Sequence, residues 1–270
     1  MPDEIECLVV PGTREYIQAS VPGARLADIT AENLPTAEVV VVFGGDGTIL
    51  RAAQRAMQAD IPVLGVNLGH VGFLAELEEY QVPELVSHVV ARDFVLERRM
   101  TIEAELRLAD SDEVVWRQVA LNEFAVEKIS RMKMIDVLVS IDDLPVSRWA
   151  TDGILVSTPT GSTAYAFSAG GPVMWPQLEA FQIVPLAAHA LFARAMVLAP
   201  TSVVRMDLLP PVSGVVCCDG GGMTDMPPGS RLTIRRHPHD LIVARLSETP
   251  FTSRLVKKFA LPVEGWRGRN

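Results

Sequence analysis

The hydrophobic positions along the chain follow two patterns, which change near Arg98. Before that residue, apolar runs at 5–10, 39–43 and 61–67 predict strands, and helical segments follow the second run and again cover 83–92. Strands that alternate with helices are typical of a parallel α/β sheet. The first part of the chain is therefore predicted to be α/β.

After Arg98 the pattern predicts mostly β-structure. Apolar segments separated by turns predict strands at 101–108, 114–126, 135–141, 153–158, 203–208 and 232–236. In the first of these, Ile102, Ala104, Leu106 and Leu108 alternate with polar residues, which places the four side chains on one face of a strand.

Length and composition agree with a globular protein of two domains. The chain has 270 residues, of which 49% are hydrophobic, and this is enough for one large or two medium domains with a sizeable core. We predict an α/β N-terminal domain over 1–98, joined by a returning tail over 251–270, and a mostly β C-terminal domain over 99–250.

Charge and cysteine content narrow the possible functions. A net charge of −9 argues against a nucleic-acid partner, which would require a basic face. The cysteines Cys7, Cys217 and Cys218 form no disulfide framework and no metal-binding pattern, so a reducing cytoplasm is expected. No run of about 18 apolar residues is free of charge or proline, so no membrane span is expected either.

The strongest chemical signal is the turn Gly44-Gly45-Asp46-Gly47-Thr48, which directly follows an apolar strand and precedes a helix. This geometry presents backbone N–H groups and a helix N-terminus to a phosphate. An aspartate in such a turn would repel phosphate, so we expect it to act on a neighbouring hydroxyl as a base or orienting group. The alternative is an ordinary tight turn in which the aspartate caps the next helix.

A second glycine-rich segment, 65–74, follows the next strand. Two neighbouring strands that end in such turns would form one crevice. Phe73 and Leu74 could supply an apolar wall for a flat ring, or they could simply close the core.

Asn122-Glu123 interrupts an otherwise apolar β segment. An amide beside a carboxylate suits a diol such as ribose, or the exocyclic amine of adenine. A solvated turn at the end of a strand is the alternative.

A run of small and hydroxyl residues covers 151–172, with one tyrosine at Tyr165. It indicates a backbone that a polar ligand approaches closely, unless it is a surface loop. His189 lies in an apolar setting and is either a core histidine or a ligand contact. The segment Asp219-Gly220-Gly221-Gly222 predicts a hairpin turn, and a role for Asp219 at a subunit boundary is left open.

Together these motifs resemble the NAD kinase family over residues 36 to 268. Related lipid kinases and phosphofructokinases share the glycine-rich turn alone, whereas the run Thr158-Pro159-Thr160-Gly161-Ser162-Thr163-Ala164-Tyr165 joined to Asn122-Glu123 is similar to NAD kinases. The second half is most similar to the actinobacterial branch. The resemblance implies phosphorylation of the 2′-hydroxyl of the adenosine ribose of NAD, giving NADP.

The resemblance also implies roles for individual residues. Asp46 would be the catalytic base. The donor phosphates would face Gly44, Gly45, Gly47, Thr48 and Arg51. NAD would be bound by Asp46, Gly47, Phe73, Leu74, Asn122, Glu123, Lys133, Asp152, Thr163, Ala164, Tyr165, Ser168, Ala187 and His189. Asp152 would reach the nicotinamide end, from the same or a neighbouring subunit. Lys133 keeps the charge of the arginine common in relatives without its bidentate geometry.

The family implies further expectations about cofactors and partners. ATP with Mg²⁺ or another divalent cation would be the donor, with inorganic polyphosphate as an alternative, and the protein would be a homodimer or homotetramer. One departure is the short stretch between the first two predicted strands, which relatives usually fill with a longer helix, strand and loop. Two other functions stay open: a lipid or sphingoid kinase that uses the same turn, and a non-catalytic NAD(H)-binding sensor.

Overall fold

The computed structural model describes residues 5–67, 72–78, 82–246 and 250–262. The first lobe contains β1 (Cys7–Val9), α1 (Arg14–Ser20), β2 (Leu26–Asp28), β3 (Val40–Phe43), α2 (Asp46–Gln58), β4 (Val63–Asn67), β5 (Ala75–Glu78), α3 (Val82–Ala91) and β6 (Val95–Arg99). The strand predictions at 39–43 and 61–67 are confirmed, because these β-branched runs form the parallel neighbours β3 and β4.

The stretch between β1 and β3 holds both a helix and a strand. β2 pairs with β1 in parallel, and these two strands form a sheet of their own. The segment between β1 and β3, although short, therefore still contains one helix, α1, and one three-residue strand, β2.

The second lobe is built almost entirely from strands. They are β7 (Ile102–Arg107), β8 (Val114–Ala120), β9 (Glu123–Lys128), β10 (Ile135–Ile141), β11 (Leu144–Thr151), β12 (Gly153–Ser157), β13 (Phe181–Leu186), β14 (Met196–Leu198), β15 (Val204–Leu209), β16 (Gly214–Cys218), β17 (Gly222–Met226) and β18 (Arg231–Arg236), with the short helix α4 (Tyr165–Ser168) after β12. One six-stranded sheet has the order β11-β10-β15-β18-β7-β8, and the other has the order β14-β13-β12-β9-β16-β17.

The two sheets pack face to face around one apolar core. Ile102, Ala104 and Leu106 point into this core, as their alternation predicts, whereas Leu108 lies beyond the end of β7 and is 40% exposed. The largest buried side chain of the core is Trp149 on β11. Burial alternates with period two along β10 and β15 of the first sheet, as a sandwich with one solvated face requires. The central strands of the second sheet, β9, β12 and β13, are instead buried on both faces.

One predicted strand is divided in the structure. The pattern over 114–126 predicts a single strand, but β8 ends at Ala120 and β9 begins at Glu123. The interruption falls at Leu121 and Asn122, whose backbone groups bond to Asp219 and Thr158 and not to a neighbouring strand.

The chain returns to the first lobe through β19 (Leu241–Arg245) and α5 (Phe251–Phe259). β19 pairs with β4 in parallel and with β6 in antiparallel, so the return begins ahead of the predicted tail at 251. The reason is that a short apolar run carries no local mark of the sheet that it will join.

α5 packs where the two lobes meet. The rings of Phe251 and Phe259 lie 5.9 and 5.8 Å from that of Phe73, and Phe259 stacks on Phe167 of α4 at 4.3 Å. The tail thus reaches the first lobe, and residues 263–270 lie outside the described part. Within that described part, no helix has both the length and the apolar character needed to cross a membrane.

Candidate active site

The glycine turn places a helix N-terminus at the end of β3. Gly44 has φ +150 and donates its N–H to the carbonyl of Val66, and a Cβ at this position would lie 3.0 Å from the side chain of Thr48. Gly45 is the N-cap, so α2 begins at Asp46. Thr48 and Ile49 donate their N–H groups to the Gly45 carbonyl, so the N–H groups of Asp46 and Gly47, at the start of this 13-residue helix, are the ones without intrahelical partners.

The Asp46 carboxylate is held by the second glycine-rich segment. Oδ2 accepts a hydrogen bond from the Phe73 N–H at 3.2 Å, and Oδ1 accepts one from the Leu74 N–H at 3.3 Å. A Cβ on Gly72 would lie 2.2 Å from Oδ1, so only glycine allows this approach. The Asp46 side chain is thus turned to another segment, and α2 has no side-chain cap because its N-cap residue is glycine.

Phe73 and Leu74 contact Asp46 through their backbone. Their side chains are only 8% and 5% exposed; Phe73 lies among the rings of α5, and Leu74 belongs to the core of the first lobe. Both side chains therefore close the core, and a contact of either with a flat ring stays a prediction. Residues 68–71 of this segment lie outside the described part.

The predicted phosphate-facing groups lie on the first turns of α2. Arg51 is exposed and donates from Nη2 to Oγ1 of Thr48 at 3.3 Å. Gly45 and Gly47 are exposed as well. A cation, a hydroxyl and free backbone amides thus share the edge of the crevice beside Asp46.

The second lobe reaches the same crevice through Leu121. This side chain, 2% exposed, packs in the core of the first lobe with Ile49, Leu50 and Leu74. Because Asn122 and Glu123 follow directly, the packing of Leu121 brings them to the boundary between the lobes. The two residues are only 9% and 8% exposed, so the alternative of a solvated turn is wrong.

The segment 158–163 clamps Asn122 from one side. Thr158 donates its N–H to the Asn122 carbonyl at 2.9 Å and its hydroxyl to the Leu121 carbonyl. A Cβ on Gly161 would lie 2.2 Å from the Asn122 oxygen. The small residues of this run are therefore required for backbone contact, and Thr158, Thr160 and Ser162 are buried.

Glu123 is a carboxyl in an unfavourable place for a charge. Burial and, to a smaller extent, the neighbouring carboxylate of Asp219 raise its pKa, a backbone hydrogen bond from Tyr165 lowers it, and the net pKa is about 8. Among the described residues its buried Oε2 has no hydrogen-bond partner. A fraction of the protein thus carries a neutral carboxylic acid here near neutral pH, able to donate as well as accept.

The other predicted pocket residues follow in a short 3₁₀ turn, Gly161–Thr163, and in α4. Thr163 and Ala164 are half-buried, whereas Tyr165 and Ser168 are exposed. The Tyr165 hydroxyl donates to Oε1 of Glu127 at 2.8 Å. Burial, followed by this contact, raises the pKa of Tyr165 to about 12.

Four predicted residues lie at the far end of the same strands. Ser157 pairs with Glu123, whereas Gly153, next to Asp152, pairs with Glu127, and four residues of a strand span about 13 Å. Asp152 forms an ion pair with Lys128.

Lys133, Ala187 and His189 belong to this far end as well. Lys133 lies in the exposed β9–β10 loop, and Ala187, with φ +48, follows β13. His189 bonds through its N–H to the Ala150 carbonyl, and because its side chain is exposed, the alternative of a core histidine is wrong.

Sequence reasoning missed the partners of these groups. The predicted hairpin turn at Asp219 is confirmed between β16 and β17, but its carboxylate also bonds to the backbone of Leu121, Asn122 and Glu123. Gly72 and Glu127 were likewise not identified. No local pattern marks such contacts, since the partners are far apart in sequence.

Comparison with known proteins agrees with this geometry. Residues 12–94 match the ATP-NAD kinase N-terminal domain, and residues 121–246 match the ATP-NAD kinase C-terminal domain. The NAD kinase of Cutibacterium acnes is 52% identical over 98% of this chain and 83% of its own length, and that of Thermobifida fusca is 48% identical over 98% and 81%.

The chain belongs to the ATP-NAD kinase family. The predicted family, the assignment as an NAD kinase, and the architecture of an α/β domain followed by a mostly β domain are confirmed.

Two solved structures share this fold. The NAD kinase of Archaeoglobus fulgidus in complex with ATP is 28% identical, with a TM-score of 0.70 over 95% of this chain and 98% of that one. The yeast NADH kinase complexed with NADH is 22% identical, with a TM-score of 0.88 over 99% of this chain and 81% of the yeast chain. At 22% identity the likeness to the yeast enzyme concerns the fold alone.

Proposed function

We propose that the protein phosphorylates the 2′-hydroxyl of the adenosine ribose of NAD, with ATP as donor, in the crevice at Asp46. The observation that carries this proposal is the Asp46 carboxylate held by two backbone amides at the start of α2. A fixed carboxylate beside a helix N-terminus combines a proton acceptor with a phosphate site.

The reaction is an in-line transfer. Asp46 accepts the proton of the 2′-hydroxyl while the ribose 2′-oxygen bonds to the γ-phosphorus of ATP. The bond from that phosphorus to the bridging oxygen breaks, and ADP leaves with this oxygen. The backbone amides of Gly45 and Gly47, with Thr48 and Arg51, stabilise the phosphate charge as it shifts to the leaving group. Gly44 contributes through the shape of the turn, because its own N–H is bonded to the Val66 carbonyl. Positioning supplies much of the rate.

NAD is bound across the boundary between the lobes. Asn122 and Glu123 hold the ribose and adenine through an amide and a carboxyl that is neutral in a fraction of molecules. Thr163, Ala164, Tyr165 and Ser168 form the dinucleotide pocket, which the half-buried and exposed positions of these residues support.

A divalent cation fits this site as a companion of the donor. The described residues contain no group of three or more His, Cys, Asp or Glu side chains that could hold a metal ion, and Asp46 stands beside a hydroxyl and amides. These groups suit an Mg²⁺ ion whose ligands are mainly the phosphate oxygens of the donor. The ion would neutralise part of the negative charge of those phosphates. Polyphosphate offers the same phosphate chemistry and remains an alternative donor.

The location in a reducing cytoplasm stays a prediction, which the free thiols of Cys7, Cys217 and Cys218 support.

Lys133, Asp152, Ala187 and His189 act in the site of a neighbouring copy, in a homodimer or homotetramer. Their distance along the strands from Glu123 supports this, as do the exposed apolar residues around them: Ile129, Met132, Met134, Leu191 and Phe192. Co-expression of Asp46→Asn with Asp152→Asn should recover activity that neither variant has alone. If each copy held a complete site, the mixture would stay inactive.

The direct test is NADP formation from NAD and Mg²⁺ATP, read with an NADP-specific dehydrogenase. Asp46→Asn should lower kcat by about 10² or more, on the scale of general-base catalysis, with NAD binding largely kept. Wild-type turnover in this variant would overturn the role of Asp46. Binding of NAD without any product, with ATP or with polyphosphate, would overturn the reaction itself.

A further inference from the structure

The turn between β16 and β17 sends one carboxylate into the backbone of the Asn122 segment. Oδ1 of Asp219 accepts hydrogen bonds from the N–H groups of Asn122 at 2.8 Å and Glu123 at 3.1 Å, and Oδ2 accepts one from the Leu121 N–H at 2.9 Å. Its own N–H donates to the Glu123 carbonyl at 3.1 Å. Hairpin and segment are therefore bound to each other in both directions.

This contact replaces the sheet ladder that is interrupted at Leu121 and Asn122, just before β9 begins at Glu123. Three consecutive N–H groups that point to one side form a concave anion site, and a buried amide without a partner is costly. Asp219, with φ +48, occupies that site with a side chain of the protein itself. Hydrogen bonds to a charged acceptor are the strong ones, so the backbone of 121–123 is held before any ligand arrives.

The opposite side of the segment is closed as well. Thr158 bonds to the carbonyls of Leu121 and Asn122, and Gly161 packs so close to the Asn122 carbonyl that a Cβ there would lie 2.2 Å from its oxygen. With the three N–H groups and the Glu123 carbonyl fixed by the hairpin, and the Leu121 and Asn122 carbonyls fixed by Thr158, the directions of the Asn122 and Glu123 side chains are set.

We propose that Asp219 is a positioning residue for NAD: it fixes the backbone of 121–123 so that Asn122 and Glu123 present a preformed site to the dinucleotide. This inference rests on the proposed function, which assigns these two side chains to NAD. It assigns Asp219 a role within the subunit, through the backbone and without contact to the substrate.

Asp219 also acts on Glu123 through its charge. The titratable groups that face Glu123 are Asp219 from the hairpin, Cys218 from β16 and Tyr165 from α4. Of these, the carboxylate of Asp219 raises the pKa of Glu123. Removal of that charge should therefore lower the pKa of Glu123 and move its titration to more acidic pH.

The test compares Asp219→Asn with Asp225→Asn, which removes the same charge from an exposed position of β17. Asparagine has a similar shape and tolerates positive φ, but it offers one acceptor oxygen and no charge. The KM for NAD should rise by about tenfold or more, the scale of one charged hydrogen bond, with kcat and the KM for ATP within about threefold of wild type. Asp225→Asn should match wild type.

A pH profile separates positioning from general loss of structure. The inflection of the KM for NAD that Glu123→Gln removes should move to lower pH in Asp219→Asn. When Glu123→Gln and Asp219→Asn are combined, the KM for NAD should rise by less than the two single effects added as free energies, because both substitutions act on the segment 121–123. The inference is overturned if Asp219→Asn leaves both the pH inflection and the KM for NAD unchanged. It is also overturned if the variant impairs kcat/KM for NAD and for ATP equally.

Hydrogen exchange of the wild-type protein keeps the inference testable even if Asp219→Asn fails to fold. Without nucleotide, the amides of Leu121, Asn122 and Glu123 should already be protected by roughly 10²-fold or more. Free exchange before NAD is added, with protection only afterwards, would overturn preorganisation. This readout needs no turnover, so it separates a failure of the inference from a failure of the proposed reaction.

Discussion

Asp46 and Asp219 are two carboxylates that the fold holds in the same way, but with different numbers of hydrogen bonds. Each accepts hydrogen bonds from consecutive backbone amides of a distant segment. Asp46 accepts two, from Phe73 and Leu74, at 3.2 and 3.3 Å. Asp219 accepts three, from residues 121–123, at 2.8 to 3.1 Å.

The number and length of these bonds separate the two roles. A carboxylate has about four acceptor positions, so two long bonds leave Asp46 free to accept a proton from a substrate, while it is kept in place. Asp219 is engaged by three shorter bonds and faces the interior, so its acceptor capacity is used by the protein. The same device thus holds the proposed base in one lobe and the proposed backbone anchor in the other.

The largest effect is expected on kcat when the Asp46 carboxylate is displaced from the two amides that hold it. In Gly72→Ala, the new Cβ would lie 2.2 Å from Oδ1 of Asp46, so the carboxylate must move. We expect kcat to fall by about 10²-fold, the cost of misplacing a reacting group by about 1 Å, as measured by NADP formation. Gly23→Ala, where a Cβ meets nothing within 4 Å, is the control. Normal kcat in Gly72→Ala would show that the placement of Asp46 is not critical.

A second prediction concerns the carboxyl that Asp219 influences. The pKa of Glu123 is raised from its ordinary value of 4.5 to about 8, so the folded protein favours the protonated form. The stability that this group contributes is complete below pH 4.5 and is lost as pH rises through about 8. Relative to Glu123→Gln, the wild-type Tm should therefore fall by roughly 5 °C between pH 5.5 and 9. Parallel Tm curves for the two proteins would contradict the raised pKa.

The segment 121–123, which Asp219 holds from the hairpin, can also be disturbed from the opposite side, where Gly161 lies against it. In Gly161→Ala a Cβ would lie 2.2 Å from the Asn122 carbonyl oxygen, which pushes the segment against the hairpin. The KM for NAD should rise by about tenfold, with a smaller change in kcat. Gly221→Ala, on the hairpin turn and with nothing within 4 Å of its Cβ, should leave both constants unchanged. A rise in the KM for ATP alone would place the effect elsewhere.

A third carboxylate sharpens the comparison because side chains hold it instead of amides. Glu105, whose side chain is 5% exposed, pairs with Arg107, Arg117 and Arg235 on the outer face of one sheet. Glu105→Gln should destabilise the protein by about 2 kcal/mol in urea unfolding, because three cations lose a buried partner, with normal kcat and KM. Asp136→Asn, in a more exposed pair, should change stability little. Loss of activity without loss of stability in Glu105→Gln would contradict a purely structural role.

The sequence predicted the elements that local composition determines. The apolar β-branched runs gave β3 and β4, and the alternation around Ile102 gave the buried face of β7. Strands with weaker signals were not predicted, among them β13 and β19. Their burial depends on which sheet they join, and β19 pairs with β4 over a distance in sequence from Val63 to Val243.

The candidate site shows the same division. The glycine turn at Asp46 and the pair Asn122-Glu123 could be identified because glycine, carboxylate and amide side chains stand out within apolar runs. Their placement could not be predicted. The raised pKa of Glu123 depends on its burial and on the neighbouring Asp219, and the separation of Asp152 from Glu123 follows from the pairing of β9 with β12.

By itself the sequence determined two lobes, the family and the residues that are proposed to carry the chemistry, because propensity, periodicity and motif spacing are local properties of the chain. Only the tertiary structure decided what holds those residues. Asp46 meets amides 27 and 28 positions away, and Asp219 meets amides 96 to 98 positions away. Such contacts form when burial and sheet pairing bring distant segments together, since an unsatisfied amide or carboxylate in the interior is too costly to leave unpaired.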